Sequence, residues 1–376
     1  MTSNTTVDFK DKKIKTINFL SSEFLYYPIS NVSTKFYIDS KSDIFKEQLL
    51  YSSNGKNYYS SVSGKALGTK EIGGKNYLVI QNNYKEKYET AKSLRKNINK
   101  LSKKEILEIL KSSDCQNYTA NINYFINNFD KIDSLVLSLM TCEDSENVYS
   151  LIFNEHNSDI LEIFDALSQI FDISNPVIII SDTDDVNIEY VTNLSGMYPD
   201  IRIALSHDKY PSSHPLLITR KLNLDNALVL SASDLYYLYH LIKRNKKVLE
   251  KELLITGKNL DKNYFVTTKL NVLVSDIIKE CKIKLTDDDI ICKNSAIRGE
   301  ILSLDDIITT DIDSLVIAKK DDAKEEECIN CGLCNKFCPQ KLNPQRYKLS
   351  GKPFPGKCID CNMCSFVCPC KIGRKR

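Results

Sequence analysis

Cysteine is the residue type with the clearest chemical pattern in this sequence. Of the 13 cysteines in the 376 residues, nine fall between Cys328 and Cys370. Two runs share the spacing C-x2-C-x2-C-x3-C-P, and their members are Cys328, Cys331, Cys334 and Cys338 before Pro339, and Cys358, Cys361, Cys364 and Cys368 before Pro369. Because thiolates are soft ligands, a regular repeat of this density predicts metal binding.

The spacing of each run suits a four-iron cluster. Three cysteines two residues apart can wrap one cubane, and the fourth, followed by proline, ligates the neighbouring cluster in bacterial two-cluster ferredoxins. The runs therefore predict two [4Fe-4S] clusters that exchange one ligand. Cluster 1 is assigned to Cys328, Cys331, Cys334 and Cys368, and cluster 2 to Cys358, Cys361, Cys364 and Cys338.

Structural zinc is the alternative reading of the cysteine pairs. A zinc ion needs four tetrahedral ligands, and neither a third cysteine two residues on nor the repeated Cys-Pro serves that purpose. Iron and sulfide are therefore favoured on spacing. Cys370 is not required by either run and receives no role.

Charge near the two runs is compatible with anionic clusters. The segment from Lys324 to Arg376 contains 11 Lys or Arg and 4 Asp or Glu, whereas a thiolate-ligated cubane carries a charge of about −2. We interpret the basic residues as counter-charge to the clusters. The whole chain has a net charge of +2, which gives no argument for nucleic acid as a partner.

Composition places the chain among cytoplasmic globular proteins. Its hydrophobic content is 42%, and its apolar stretches are shorter than the roughly 18 residues that would span a bilayer. The first residues carry charges where a secretory signal would be apolar. We therefore expect a cytoplasmic location, with any contact with the inner face of the membrane made through partners.

The 300 residues before the cysteine runs predict a multidomain α/β protein. Short strands around Gly68 and Gly73-Gly74 indicate a β-rich domain over residues 1–88. Strands alternate with helices in residues 89–247, which predicts a doubly wound parallel sheet. The helices are expected over 159–171, 186–197 and from 231 to 242. Residues 248–320 predict a small α+β module, and residues 321–376 form the cluster domain.

Ligands of such a parallel sheet bind at the carboxyl ends of its strands. The polar residues expected there are Glu143 beside Cys142, and Lys209 within His207 to Tyr210. Ordinary loop polarity explains the same residues equally well. Glu143 and Lys209 are therefore candidates for cofactor binding without an assigned role, and no catalytic residue is proposed.

The order of these parts resembles the RnfC-like family of the Rnf electron-transport complex, a relative of the flavin- and NADH-binding component of respiratory complex I. Supporting stretches are SVSGKA at 61–66, LSKKEILEILKSS at 101–113, DKYPSSHP at 208–215, ITGKNL at 255–260 and the double cysteine run. The resemblance implies a barrel-sandwich-like first domain, a Rossmann-like flavin and NADH domain and an SLBB-like module. Its family includes the proline reductase-associated electron transfer protein of anaerobic amino-acid metabolism.

The sequence departs from this family where flavin and nucleotide would bind. The family has a glycine-rich phosphate loop after Ser113, where this chain has Asp114-Cys-Gln-Asn-Tyr-Thr119 without a glycine. Side chains and a carboxylate there would crowd and repel a phosphate. The family's acidic motif is reduced to Thr141-Cys-Glu-Asp144. These departures argue against binding of FMN or NADH.

The preferred hypothesis is an iron-sulfur electron carrier that passes low-potential electrons between a ferredoxin or NADH-linked donor and a partner reductase. One alternative is a membrane-docked Rnf component that retains flavin through other contacts, with the remaining Rnf proteins as partners. Another is a protein of a different class, a redox sensor or scaffold whose clusters are structural.

Overall fold

The structure is a computed structural model, and it contains both parallel and mixed β-sheets. It describes residues 12–30, 34–88, 97–112, 119–140, 147–194, 196–320 and 324–373. Within these ranges no helix is long and apolar enough to cross a membrane.

The first part of the chain is built from β-strands, and all but the first of them pair antiparallel with one another. Their bounds are β1 (Ile14–Phe19), β2 (Phe24–Pro28), β3 (Thr34–Phe36), β4 (Asp43–Ile44), β5 (Leu49–Ser53), β6 (Lys56–Tyr59), β7 (Gly64–Ile72) and β8 (Lys75–Asn82). Two sheets result, with the orders β2-β8-β7-β4 and β3-β5-β6. Asn54-Gly55 and Gly73-Gly74 close two hairpins with positive φ at all four residues, a conformation that glycine and asparagine tolerate best.

The second part alternates helices and strands. Its elements are α1 (Lys103–Ser112), α2 (Ala120–Asn128), β9 (Ser134–Leu139), α3 (Val148–Ile170), β10 (Asn175–Ser181), α4 (Asp185–Leu194), β11 (Arg202–Ser206), α5 (Pro215–Leu222), β12 (Ala227–Ser231) and α6 (Ala232–Ile242). All strand pairs are parallel and the order is β11-β10-β9-β12. The predicted parallel sheet is thus confirmed. Its strand order reverses between β9 and β12, which is where such sheets bind ligands.

Helix α3 is longer than the sequence pattern predicts. It begins at Val148, eleven residues before the expected start at 159, and Asn147 caps it by accepting the Ser150 N–H at 3.2 Å. The first half of α3 ends in a polar stretch that interrupts the apolar pattern. This stretch contains a kink at His156, whose φ of −131° is not helical. The His156 ring bonds Glu252 at 2.8 Å and stacks on Tyr236, so tertiary contacts hold the kink in place.

The third part forms a six-stranded mixed sheet. Its elements are β13 (Glu250–Gly257), β14 (Asn263–Lys269), α7 (Val274–Glu280), β15 (Asp289–Lys293), β16 (Ile301–Leu302) and β17 (Ser314–Lys319). The strand order is β1-β14-β13-β17-β15-β16, in which β1 pairs parallel with β14. The first strand of the chain therefore belongs to this sheet, more than 240 residues away in sequence. One core cluster of buried apolar side chains runs through all three parts.

The C-terminal part has three short helices and little apolar core. They are α8 (Leu333–Lys336), α9 (Pro344–Ser350) and α10 (Met363–Phe366). Ile359, Cys361 and Cys370 are its buried hydrophobic side chains among the residues described. An apolar core this small cannot offset the conformational entropy of some 50 ordered residues, so another source of stability is needed.

Candidate metal centre

The two cysteine runs adopt the same backbone conformation. Gly332 and Asn362, which lie 30 residues apart, have φ of 71° and 56° and precede α8 and α10. Asn330 and Asp360 are a second pair with positive φ, and Lys341 and Lys371 a third. Successive turns of this kind point backbone N–H groups inward, and such concavities bind anions.

Backbone N–H groups are directed at the cysteine sulfurs. The Asn330 N–H donates to Cys328 Sγ at 3.4 Å. Burial raises the pKa of the Cys334, Cys358 and Cys361 thiols, while N–H donors from the residues that follow act to lower it. A coordinated metal removes the remaining protons outright, because a metal-bound thiol is deprotonated.

The eight cysteines line two separate cavities. The distal cavity is lined by Cys328, Cys331, Cys334 and Cys368, together with Gln345, Lys348 and Cys370. The other cavity is called proximal because its Cys361 contacts the α/β part of the chain. It is lined by Cys338, Cys358, Cys361 and Cys364, together with Pro344 and Phe354. In each case the fourth cysteine comes from the other run. The structure thus brings together the same two groups of four that the spacing predicts as ligands.

A single metal ion and an iron-sulfur cluster require different arrangements of these sulfurs. Within the described residues, no three His, Cys, Asp or Glu side chains converge where one ion could sit. Zinc requires such convergence of four ligands, whereas a cubane takes each cysteine at a different iron. The two groups of four cysteine sulfurs fit iron-sulfur clusters, which cysteine thiolates hold.

Helix α9, which separates the two runs in sequence, braces the distal cavity. Gln345 Nε2 donates to Asn330 Oδ1 at 2.8 Å and lies 3.8 Å from Cys328 Sγ. The Gln345 N–H donates to Asn335 Oδ1 at 3.1 Å. These contacts tie the helix to the first cysteine run on both sides of its sulfurs.

A cleft of about 410 Å³ opens beside the proximal cavity. It lies where β9 and β12 end, at the point of strand-order reversal. Its walls include Thr119, Ser138, Met140, Tyr149, Tyr210, Ser231, Asp234, Asn294, Arg298, Asp313 and Cys361. Cys361 lines both the cleft and the proximal cavity, so the two sites share a wall.

Two hydrogen bonds fasten the cysteine domain to this cleft. Tyr210 Oη donates to the Cys361 carbonyl at 2.6 Å, and Asn362 Nδ2 donates to the Ile297 carbonyl at 2.7 Å. Tyr210 belongs to the 208–215 segment between β11 and α5, and Ile297 to the segment between β15 and β16. Both the parallel sheet and the mixed sheet therefore position the proximal cavity.

Helix N-termini at the cleft are largely capped from within the chain. The buried Asp234 carboxylate accepts from the Ser231 N–H at 2.9 Å, Asn121 Nδ2 at 2.9 Å and Thr119 Oγ1. Its negative charge lies in the first turn of α6, where the helix dipole is positive. At α5, His214 Nδ1 accepts the Leu216 N–H, and burial lowers the His214 pKa in agreement with this neutral acceptor role.

The structure describes only one of the two cofactor candidates from the sequence. Glu143 and Cys142 fall outside the described residues, as does the 113–118 segment that lacks glycine. Lys209 is exposed, and the cleft is lined by its neighbours Tyr210 and Pro211 instead. Sequence reasoning missed Tyr149, Asp234, Asn294, Arg298 and Asp313. Only Asp234 had a readable signal, since it follows Ser231 by three residues as in a capping box.

The C-terminal segment matches a known domain family. Residues 320–369 match the family model described as a 4Fe-4S dicluster domain. Together with the two four-cysteine cavities, this match defines the segment as a ferredoxin-like iron-sulfur domain. The chain is therefore an iron-sulfur protein with a multidomain α/β body.

Similarity to solved structures is distant. The NAD+-reducing [NiFe]-hydrogenase in its H2-reduced state aligns with a TM-score of 0.45 and 9% identity over 65% of this chain. The air-oxidized state of an enzyme of the same description aligns with a TM-score of 0.46 and 8% identity over 66% of this chain. The alignments cover 52% of those chains, so this chain spans about half their length. At these values the likeness supports no inference about activity. Comparison with curated protein sequences gives no match.

Proposed function

We propose that this chain is an iron-sulfur electron-transfer protein that relays low-potential electrons through two [4Fe-4S] clusters. Cluster 1 would be held in the distal cavity by Cys328, Cys331, Cys334 and Cys368. Cluster 2 would be held in the proximal cavity by Cys358, Cys361, Cys364 and Cys338. The observation that carries the proposal is that each cavity is lined by three cysteines of one run and the fourth cysteine of the other run.

Bound clusters would supply reversible one-electron chemistry, and the chain's own groups determine where it takes place. The cysteine sulfurs attach both sites to a shared framework, which keeps the sites adjacent. Backbone N–H groups such as that of Asn330 favour the electron-rich state of the sulfur they contact.

The two cavities are inferred to serve opposite ends of the relay. Cys361 is 8% exposed and faces the cleft, whereas Cys331 is exposed and Ile329 beside it is 66% exposed. Electrons would therefore enter or leave through the proximal cavity on the cleft side and the distal cavity on the surface side. A redox protein, either a ferredoxin-type donor or a partner reductase, would dock at the distal face.

At a finer level we place the chain in the RnfC-like family, in the cytoplasm. The domain limits 1–88, 89–247, 248–320 and 321–376 and their barrel-sandwich-like, Rossmann-like, SLBB-like and ferredoxin-like characters belong to this proposal. The parallel sheet with its reversal point beside a cluster cavity supports it. Peripheral membrane association would arise through partner proteins, and anaerobic metabolism is the setting that low-potential clusters suit.

Iron and sulfide counts on anaerobically purified protein test the proposal. About eight irons and eight labile sulfides per chain are expected for two cubanes. Stopped-flow mixing with a reduced low-potential ferredoxin should then bleach the cluster absorbance. Protein that holds zinc, or iron that no donor reduces, would contradict electron transfer, and in the second case would favour a structural or sensing role.

The cleft beside Cys361 favours one second candidate, an Rnf component that also binds flavin. Its volume and position at the strand-order reversal suit a small redox molecule, although the glycine-free 114–119 stretch opposes phosphate binding. Reconstitution with FMN followed by NADH addition separates the two candidates. A flavin band that NADH bleaches would establish the second, and protein without bound flavin would leave the first.

A further inference from the structure

The ammonium group of Lys348 is fixed between the two cysteine runs. Its Nζ donates to the Cys364 carbonyl at 3.1 Å, to Ser365 Oγ at 2.8 Å and to the Ile372 carbonyl at 2.6 Å. A lysine ammonium has three N–H donors, so these acceptors use all of them. Lys348 therefore has one defined position, unlike a lysine on a solvated surface.

This ammonium lacks a carboxylate partner. Across the ranges the structure describes, no Asp or Glu oxygen lies within ion-pair distance of Lys348 Nζ. Glu325 is nearby, but its Oε2 accepts the Gly373 N–H at 3.3 Å. A partly buried cation without a counter-charge is costly, so the pattern points to an anion of another kind.

The distal cavity places that anion next to Lys348. The side chain lines the cavity together with Cys334 and Cys368. Four thiolates and a cubane there would carry about −2, and one more negative charge after reduction. A fixed positive charge interacts more favourably with the reduced state than with the oxidised state.

We propose that Lys348 is a positioning and tuning residue that raises the reduction potential of the distal cluster. The inference rests on the proposed function, since it needs a cluster in the distal cavity. It goes further by assigning an electrostatic role to a residue outside both cysteine runs.

The test is an anaerobic redox titration of K348M, followed by electron paramagnetic resonance. Methionine keeps the length of the side chain and removes its charge. We expect K348M to retain both clusters and to lower the equilibrium constant for reduction of the distal cluster by about tenfold, or about 59 mV for one electron. The proximal cluster should shift less.

K336M is the matched control. Lys336 lies in α8 between Cys334 and Cys338, yet it is exposed, so water and salt screen its charge. K336M should therefore change the reduction potential of the distal cluster several-fold less than K348M does. K348R, which keeps a positive charge at this place, should restore most of the wild-type potential.

Each outcome decides the proposal. A K348M potential that matches K336M would overturn it. If K348M loses iron, the neutral K348Q, which keeps an N–H donor, is titrated instead and must show the same fall. Loss of iron in both neutral variants with retention in K348R would show a purely structural role and overturn the tuning role. Wild-type protein without iron would defeat the proposed function itself.

Discussion

At the residue scale, the exchanged cysteines make the sharpest prediction. We expect C368S to abolish the same cluster as C328S, although the two residues are 40 positions apart, and C338S to abolish the cluster of the second run. Each variant should hold about four irons instead of about eight. Iron analysis and the resonance signal of the remaining cluster measure this.

The control for these variants is C370S. Cys370 lines the distal cavity without belonging to either group of four, so its variant should retain both clusters. If C368S instead removed the cluster of its own run, the two runs would each bind one cluster independently and the crossed assignment would be wrong.

A second residue-scale prediction concerns acid stability. Burial lowers the pKa of His240 to about 4, below the value of 6.5 expected in the unfolded chain. The unfolded state binds the proton more tightly, so this contribution is complete above pH 6.5 and is lost as pH falls towards 4. Between pH 6.5 and 5.5 the free energy of unfolding should drop by roughly 1 kcal/mol more in the wild type than in H240Q. Parallel urea titrations check this, and equal slopes would show that His240 titrates normally.

At the element scale, a buried ion pair ties strand β13 to the segment before β17. Lys251 Nζ, fully buried, bonds Asp313 Oδ1 at 2.8 Å and the Thr310 carbonyl at 2.8 Å. Asp313 also accepts from Tyr149 Oη of α3 at 2.8 Å. This one carboxylate therefore connects the mixed sheet to the α/β part at the wall of the cleft.

We expect D313A to lower the free energy of unfolding by about 3–5 kcal/mol, because it leaves the Lys251 ammonium buried and unpaired. The double variant K251M/D313A should recover part of that loss. E108A is the control, since its pair with Lys104 is solvent-exposed and should contribute less than about 1 kcal/mol. The denaturant midpoints of the three variants measure these changes. If D313A lost no more unfolding free energy than E108A, the role of the Lys251–Asp313 pair would be contradicted.

At the scale of the whole molecule, stability is divided unevenly. The largest cluster of buried apolar side chains runs through the first three parts, and among the described residues it includes none after Ile317. The cysteine domain, by contrast, buries few apolar side chains among the residues described. Metal binding in such domains is coupled to folding, so cluster binding would supply the missing free energy.

Removal of iron with a chelator should therefore unfold the C-terminal domain while the remainder stays folded. Limited proteolysis should cleave after residue 320 in the iron-free protein and leave a stable fragment of about 320 residues. Circular dichroism of that fragment should retain its α/β signal. Global unfolding on iron removal would instead show that the core depends on the cluster domain.

Local patterns identified most of the elements. The apolar runs of β9, β10 and β12 and the Gly73-Gly74 pair of one hairpin each predict a local structure from a few neighbouring residues. Ser102 and Glu105 have the spacing of a capping box, and both of its hydrogen bonds are present at the start of α1. The sequence analysis did not predict the first half of α3, because polar residues around a kink interrupt the helical spacing of apolar residues.

The sequence alone predicted the chemistry of the C-terminal domain, because each run of four cysteines before a proline is a pattern within a dozen residues of chain. The pairing of β1 with β14, the contact of Tyr210 with Cys361, and the meeting of Asp234 with Thr119 and Asn121 were decided by the tertiary structure. These contacts join residues more than 100 positions apart. They depend on how whole sheets and helices pack, and no local pattern of residues records that.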